Sequence, residues 1–247
     1  MSAVLQINEL NKSFGGIKAT DNLNLSVEKG ELHAVIGPNG AGKTTMISQL
    51  CGSQRPDTGS ILYAGRDITT LPPHKRAHLG ITRSYQITSL IMEMSVIDNV
   101  ALALQARDGH SFRFLRPARS LSHLRDRAME LLGKVDLTAK AEHRTKALSH
   151  GEHRRMEIAI ALASNAELML LDEPMAGLGS HESMQMVELL RGIKGQHTIL
   201  LIEHDMEAVF ALADRISVLV YGHIIATGTP DEIRGNEAVQ HAYLGEE

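Results

Sequence analysis

The short apolar run "LHAVI" stops at "GPNGAGKT", residues 37–44, and a helical pattern, "KTTMISQLCG", opens directly behind it. Few local patterns constrain a chain so strongly. A strand has to run into a glycine-rich turn and then into a helix N-terminus, which together form a cradle for phosphate. Gly37, Gly40 and Gly42, with Pro38, Asn39 and Ala41 between them, let the backbone close around phosphate oxygens. The loop N–H groups and the helix N-terminus add partial positive charge. Lys43 brings a full charge to the terminal phosphates, and the hydroxyl of Thr44, with Thr45 behind it, is placed to ligate Mg²⁺.

An acidic strand end complements the loop. "LMLLDEP", residues 168–174, leaves Asp172 and Glu173 at the close of an apolar run. Asp172 there can hold Mg²⁺ through water, and Glu173 can polarise an attacking water as general base. Two further residues fit a γ-phosphate site: Gln86 in "TRSYQ", and His204 in "LLIEHDM", which ends the next apolar strand. "LSHGEHRR", residues 148–155, starts another helix; Ser149 and Glu152 have the spacing of a capping box. Gly151 weakens that first turn. Its presence raises the reading that the turn offers bare N–H groups to a phosphate supplied from elsewhere.

The rest of the chain sets the frame. "LQINEL" and "LNLSVEKGE" alternate as half-buried strands do, and "GSILYAGRDI" follows the turn "RPDTG" as a further antiparallel strand region. From about residue 87 to 165 the periodicity is helical, in "VIDNVALALQAR", "RDRAMELLGKV" and the helix after Ser149. "ELMLLDEP", "HTILLIEHD" and "ISVLVYGHII" are then apolar runs alternating with helices, the signature of a parallel sheet covered on both faces. The expected fold is α/β: a P-loop core (1–86 and 166–247) with mixed and parallel sheet, an antiparallel N-terminal β region and an inserted helical subdomain (87–165).

The net charge of −4 provides no basic field for nucleic acid. A single cysteine, Cys51, excludes an internal disulfide and points to a cytosolic setting. No segment reaches the ~18 apolar residues of a membrane span, and "MSAVLQINEL" lacks the features of a signal peptide. The segment "DGHSFRFLRPARSLS", residues 108–122, carries Phe112, Arg113, Phe114, Arg116 and Arg119. It reads as a solvated loop, with contact to lipid headgroups or a membrane subunit as the alternative.

The phosphate loop, Gln86, "LSHGE", "LLDEP" and "LIEHD", in this order over nearly the whole chain, resemble the ATP-binding subunit of an ABC transporter. The resemblance implies ATP and Mg²⁺ as ligands, with Thr44, Gln86 and Asp172 holding the metal, partly through water. It implies catalytic roles for Glu173, His204 and Lys43, and a second ATPase subunit facing the first head to tail. Ser149 and the Gly151 N–H would then contact the γ-phosphate held by the partner's phosphate loop. Phe14 stands where the family stacks an aromatic on adenine, a contact of ~1–3 kcal/mol by analogy with base stacking; a core Phe on a strand is the alternative.

"FGGIKATDNLNLSVEKGELHAVIGPNGAGKTT", "TRSYQ" and the C-terminal "DEIRGNEAVQHAYLGEE", with Ala242 to Gly245, narrow the resemblance to ATPases of branched-chain amino acid importers. This implies membrane permease subunits as partners, contacted near Gln86 and "ITSLIMEMSVIDNV", and a peripheral position at the cytoplasmic face of the inner or plasma membrane. Such importers typically pair two different ATPases, so a heterodimer is the expected assembly. His150, His153 and Gly179 depart from the family pattern; Gly179 removes a side chain that helps couple the two sites. Other readings stay open: an amide or urea importer, a lipopolysaccharide exporter, a soluble ABC ATPase, a P-loop kinase, or a non-hydrolysing subunit of a heterodimer.

Overall fold

The computed structural model describes residues 3–83, 90–107 and 122–244. In chain order the elements are β1 (Ala3–Phe14), β2 (Ile17–Glu28), β3 (Leu32–Ile36), α1 (Lys43–Cys51), β4 (Thr58–Tyr63), β5 (Arg66–Asp67), α2 (Pro73–His78), β6 (Ile81–Arg83), α3 (Val96–Arg107), α4 (Ser122–Lys134), α5 (His150–Ala163), β7 (Leu168–Asp172), α6 (Ser180–Ile193), β8 (Thr198–Ile202), α7 (Met206–Leu212), β9 (Arg215–Val220), β10 (His223–Gly228), α8 (Pro230–Arg234) and α9 (Glu237–Leu244). They fall into two compact units. One comprises Met1–Arg83, Glu167–Glu173 and Leu190–Glu247; the other comprises Ser84–Ala166 and Pro174–Leu189. The second unit thus takes in residues 174–189 as well as the helical stretch legible in the sequence.

The first unit holds two sheets, ordered β2-β1-β4-β5 and β10-β9-β3-β8-β7-β6. The first is antiparallel. In β2, Leu23, Leu25 and Val27 are buried while Asn24 and Ser26 are exposed, the alternation of a sheet with one covered face. In the second sheet β3, β7 and β8 are buried at every position. Met46, Ile47 and Leu50 of α1 join Leu5, Ile7, Val35, Leu170 and Leu200 in one apolar cluster. The parallel register decides where the site lies: Val35 of β3 stands opposite Ile202 of β8, and Ile202 stands opposite Asp172 of β7. Three neighbouring strands therefore end side by side, and in open parallel sheets ligands bind at such carboxyl ends.

The run "ISVLVYGHII" is not one strand. Tyr221 and Gly222 have φ of 47° and 83°, the positive values of a type I′ hairpin turn, and β10 folds back antiparallel on β9. β6 and α2 carried no sequence signal because three and six residues are too short to show a period.

Arg76 of α2 is fully buried. It donates to the carbonyls of Gln49 and Leu50 at the end of α1, and to those of Leu71 and Thr69. A cation at a helix C-terminus is favoured by the helix dipole, and the carbonyls take up four of its five N–H donors. Glu31 anchors a second buried network. It receives two bonds from Arg215 at 2.7 and 3.0 Å, and its Oε1 lies 3.0 Å from Nδ1 of the buried His33. Burial pushes the Glu31 carboxyl up, but His33, Arg215 and the Glu28 N–H outweigh it and hold the pKa at about 2 instead of 4.5.

In the second unit, Asn99 ties the segment before α3 in place through Ile91, Ser95 and Thr145. Thr145 and Lys146 donate their N–H groups to Met94 and Met92, so the segment leading into α5 is bonded directly to residues 92–94. Ile91 and Met92 remain exposed.

Two stability predictions arise here. Arg76→Met keeps the volume but takes away the arginine donor from the carbonyls of Leu50, Thr69 and Leu71 and leaves that of Gln49 with the Gly52 N–H alone, and should cost about 2–4 kcal/mol in urea unfolding. Glu31 has a lowered native pKa, so its contribution is complete above about pH 4.5 and is lost as the pH falls toward about 2. The stability gap between the parent and Glu31→Gln should narrow across that window; a constant gap would contradict the network.

Candidate functional site

The phosphate loop leaves β3 at Gly37 and enters α1 at Gly42. A Cβ on Gly37 would stand 2.0 Å from the Leu219 carbonyl oxygen, and one on Gly42 would stand 2.1 Å from that of Ala19. Gly42, at φ 107°, is the N-cap of α1, and no side chain caps the helix. Its first-turn N–H groups are thus left for a ligand. Asn39 and Gly40 are exposed, Pro38 is half-buried and Ala41 buried. Lys43 Nζ lies across the loop, donating to the carbonyls of Gly37 at 2.5 Å and Pro38 at 3.0 Å. Burial lowers its pKa, against the opposing pull of Glu173 and Asp172. Thr44 is exposed and Thr45 half-buried.

Asp172 ends β7, 4% exposed, and its Oδ2 accepts from Arg83 Nη2 at 2.9 Å. Arg83 ends β6 and also reaches Ser48 Oγ on α1 at 3.4 Å. The sequence carried this arginine in "TRSYQ", three residues before Gln86, without marking it as a partner of Asp172. Glu173 follows with φ 50°, a left-handed conformation for a residue with a Cβ. Its N–H is held by the Ile202 carbonyl at 2.9 Å, and its Oε1 lies 3.8 Å from His204 Nδ1. His204 is 64% exposed, and Glu203 beside it is buried and accepts the His204 N–H at 3.1 Å. Among the described residues no three His, Cys, Asp or Glu cluster as a metal cage. One buried carboxylate and one threonine hydroxyl do suit Mg²⁺, which takes few protein oxygens and completes its shell with phosphate and water. Gln86 and the 108–121 segment lie outside the described residues.

Phe14, in the first unit, is 49% exposed at the tip of the β1–β2 hairpin, with Lys12 Nζ 5.5 Å from its ring centroid. It is not a core residue; its ring is open to a stacking partner.

In the second unit, the capping box of α5 is formed: Ser149 Oγ accepts the Glu152 N–H at 3.3 Å and Glu152 Oε2 accepts the Ser149 N–H at 2.9 Å. Burial raises the Glu152 carboxyl, but Lys140 and the Ser149 N–H outweigh it, and the net shift is downward. His153 Nε2 lies 2.8 Å from the Thr145 carbonyl, so the histidine there ties the first turn to the segment before it. Ser149 and His150 are exposed, and Gly151 is buried. The Gly179 N–H meets Glu182 Oε2 at 3.4 Å.

The chain as a whole is similar to known proteins. The ABC transporter family matches residues 20–176. The chain belongs to that family, as an ATP-binding subunit. A second family, described as branched-chain amino acid ATP-binding cassette transporter, matches residues 223–247. The high-affinity branched-chain amino acid transport ATP-binding protein LivG of Salmonella typhimurium is 40% identical over 98% of both chains. The lipopolysaccharide export system ATP-binding protein LptB of Escherichia coli is 35% identical over 99% of this chain and 98% of its own. A nucleotide-free ATP-binding cassette from an ABC transporter superposes with a TM-score of 0.86 at 29% identity, covering 99% of this chain and 100% of the other. A dimeric cassette in a post-hydrolysis state with ADP and Pi gives 0.77 at 25% identity, over 92% and 98%. The chain is therefore an ATPase that takes an adenine nucleotide, and it works with membrane components.

The left-handed Glu173 yields a prediction. Relief of ~1–2 kcal/mol of backbone strain in Glu173→Gly offsets the entropic cost of glycine, ~0.5–1 kcal/mol. Its thermal midpoint should hold or rise although a side chain is lost; a clear fall would show that contacts of Glu173 outweigh its strain.

Proposed function

We propose that this chain binds and hydrolyses ATP at the carboxyl ends of β3, β8 and β7 and so powers an importer of branched-chain or chemically related amino acids. The observation that carries the reading is the register of those strands, which sets the phosphate loop, His204 and the Asp172–Glu173 pair side by side. The cargo rests on likeness to LivG and on the match over residues 223–247. The likeness to LptB favours a second reading, the ATPase of another ABC system such as lipopolysaccharide export; an amide or urea importer is a variant of the first.

The triphosphate docks on the uncapped N-terminus of α1, and Lys43 exchanges the carbonyls of Gly37 and Pro38 for phosphate oxygens. Phe14 stacks on the adenine. Thr44, Asp172 through water, and Gln86 are the groups that would hold Mg²⁺, whose chemistry there is neutralisation of phosphate charge. Glu173 polarises the attacking water, and His204, 3.8 Å away, keeps the carboxylate and the γ-phosphate in position. Lys43 offsets the charge that develops on the phosphate.

One chain contacts the nucleotide from one side. Ser149 and the Gly151 N–H of a second ATPase subunit, in the cell a related but different chain, close the other side. Closure is favoured only with ATP bound, and the coupling is reciprocal. Exposed Ile91 and Met92 offer an apolar contact to a permease subunit. The backbone bonds from Thr145 and Lys146 to Met94 and Met92 would carry its movement to the start of α5. The chain is thereby peripheral, held at the cytoplasmic face of the membrane by its permeases; among the described residues no helix is long and apolar enough to cross a bilayer.

Glu173→Gln should slow hydrolysis at least ~100-fold while retaining ATP and accumulating the closed dimer. Lys43→Ala should lose binding or hydrolysis, and Ser149→Arg should keep ATP binding by the isolated chain but lose dimer-dependent turnover. Normal turnover by Glu173→Gln, read as phosphate release, would place the base elsewhere.

A further inference from the structure

The first turn of α5 is not empty. An ideal Cβ on Gly151 would lie 2.5 Å from Glu182 Oε1 and 2.8 Å from its Cδ. The Glu182 carboxylate therefore rests against the Gly151 backbone, in the space that any larger residue would fill. Glu182 belongs to the first turn of α6, and its other oxygen takes a long bond, 3.4 Å, from the Gly179 N–H. The capping box uses the N–H groups of Ser149 and Glu152; those of His150 and Gly151 have no protein partner among the described residues. One half-buried carboxylate thus sits between two helix N-termini, each of which favours negative charge.

We infer that Glu182 is an internal anion that occupies the phosphate-facing turn of α5 in the separate chain and has to leave when a second subunit's nucleotide arrives. The inference rests on the reading of α5 given above. A γ-phosphate that meets the Gly151 N–H comes up beside the carboxylate that rests on the Cβ side of the same residue, and two like charges so close repel. ATP-driven closure therefore includes the displacement of Glu182, which weakens the dimer by the free energy of that displacement. The same movement breaks the bond to Gly179. With no side chain at 179, the turn before α6 meets the start of α5 through Glu182 and through His150, whose Cε1 is 3.4 Å from the Cβ position of Gly177. Glu182 would then link occupation of α5 to that turn, a positioning role outside the catalytic groups.

The test uses the full chain carrying Glu173→Gln, with the second ATPase of its transporter added if the chain alone stays monomeric. Dimer formation is followed by sedimentation across an ATP titration, and ATP affinity of the dilute monomer is measured in parallel. Glu182→Gln and Glu182→Ala should each tighten the ATP-dependent dimer roughly tenfold, with monomer affinity for ATP unchanged. A parent that dimerises with ATP while both variants match it or dimerise less overturns the role of Glu182 alone. A parent that fails to dimerise with either partner overturns the reading of α5, and this inference with it.

Discussion

The juxtaposition of the phosphate loop, Asp172 and His204 depends on β3, β8 and β7 running parallel, buried throughout, and ending in register. A slip of one residue would turn every side chain of a strand to the opposite face and would shift Asp172 and Glu173 away from the phosphate loop. The apolar pattern alone does not forbid such a slip, because β7 and β8 are buried on both faces; close packing of their differently shaped side chains holds the register. The packed sheet is thus what keeps the three strand ends side by side.

That arrangement concentrates charge, and the surrounding residues manage it. Asp172 is paired with Arg83, which also touches α1, so the acidic strand end and the helix of the phosphate loop share a partner. Lys43 is kept within the loop by two carbonyls. Glu173 sits in a left-handed conformation fixed by its bond to Ile202; strained backbone of this kind persists where the surroundings over-determine it, as at sites of chemistry. In the second unit the same logic recurs with the sign reversed, a carboxylate covering a helix turn suited to anions.

Much of this was legible beforehand because the signals are local. A glycine-rich turn between an apolar strand and a helix, an acidic pair after "LMLL", and Ser149 three residues before Glu152 each declare themselves within eight residues. The strands of the parallel core were readable as apolar runs for the same reason. Arg83 as the partner of Asp172 was not, since 89 residues separate them and an arginine in a short strand has no distinguishing pattern. The hairpin at Tyr221–Gly222 was missed because the apolar run continues through it, and only the positive φ of both residues breaks the strand.

Residue type at short spacing was enough for the fold class, the phosphate loop, the acidic strand end and the capping box of α5. Tertiary structure alone decided which ends lie together, that Phe14 is exposed and not core, and what occupies the space beside Gly151. The physical reason is that long-range register and side-chain volume are set by packing. A glycine can be small for an incoming phosphate or for a resident carboxylate, and only the neighbour across the turn distinguishes the two.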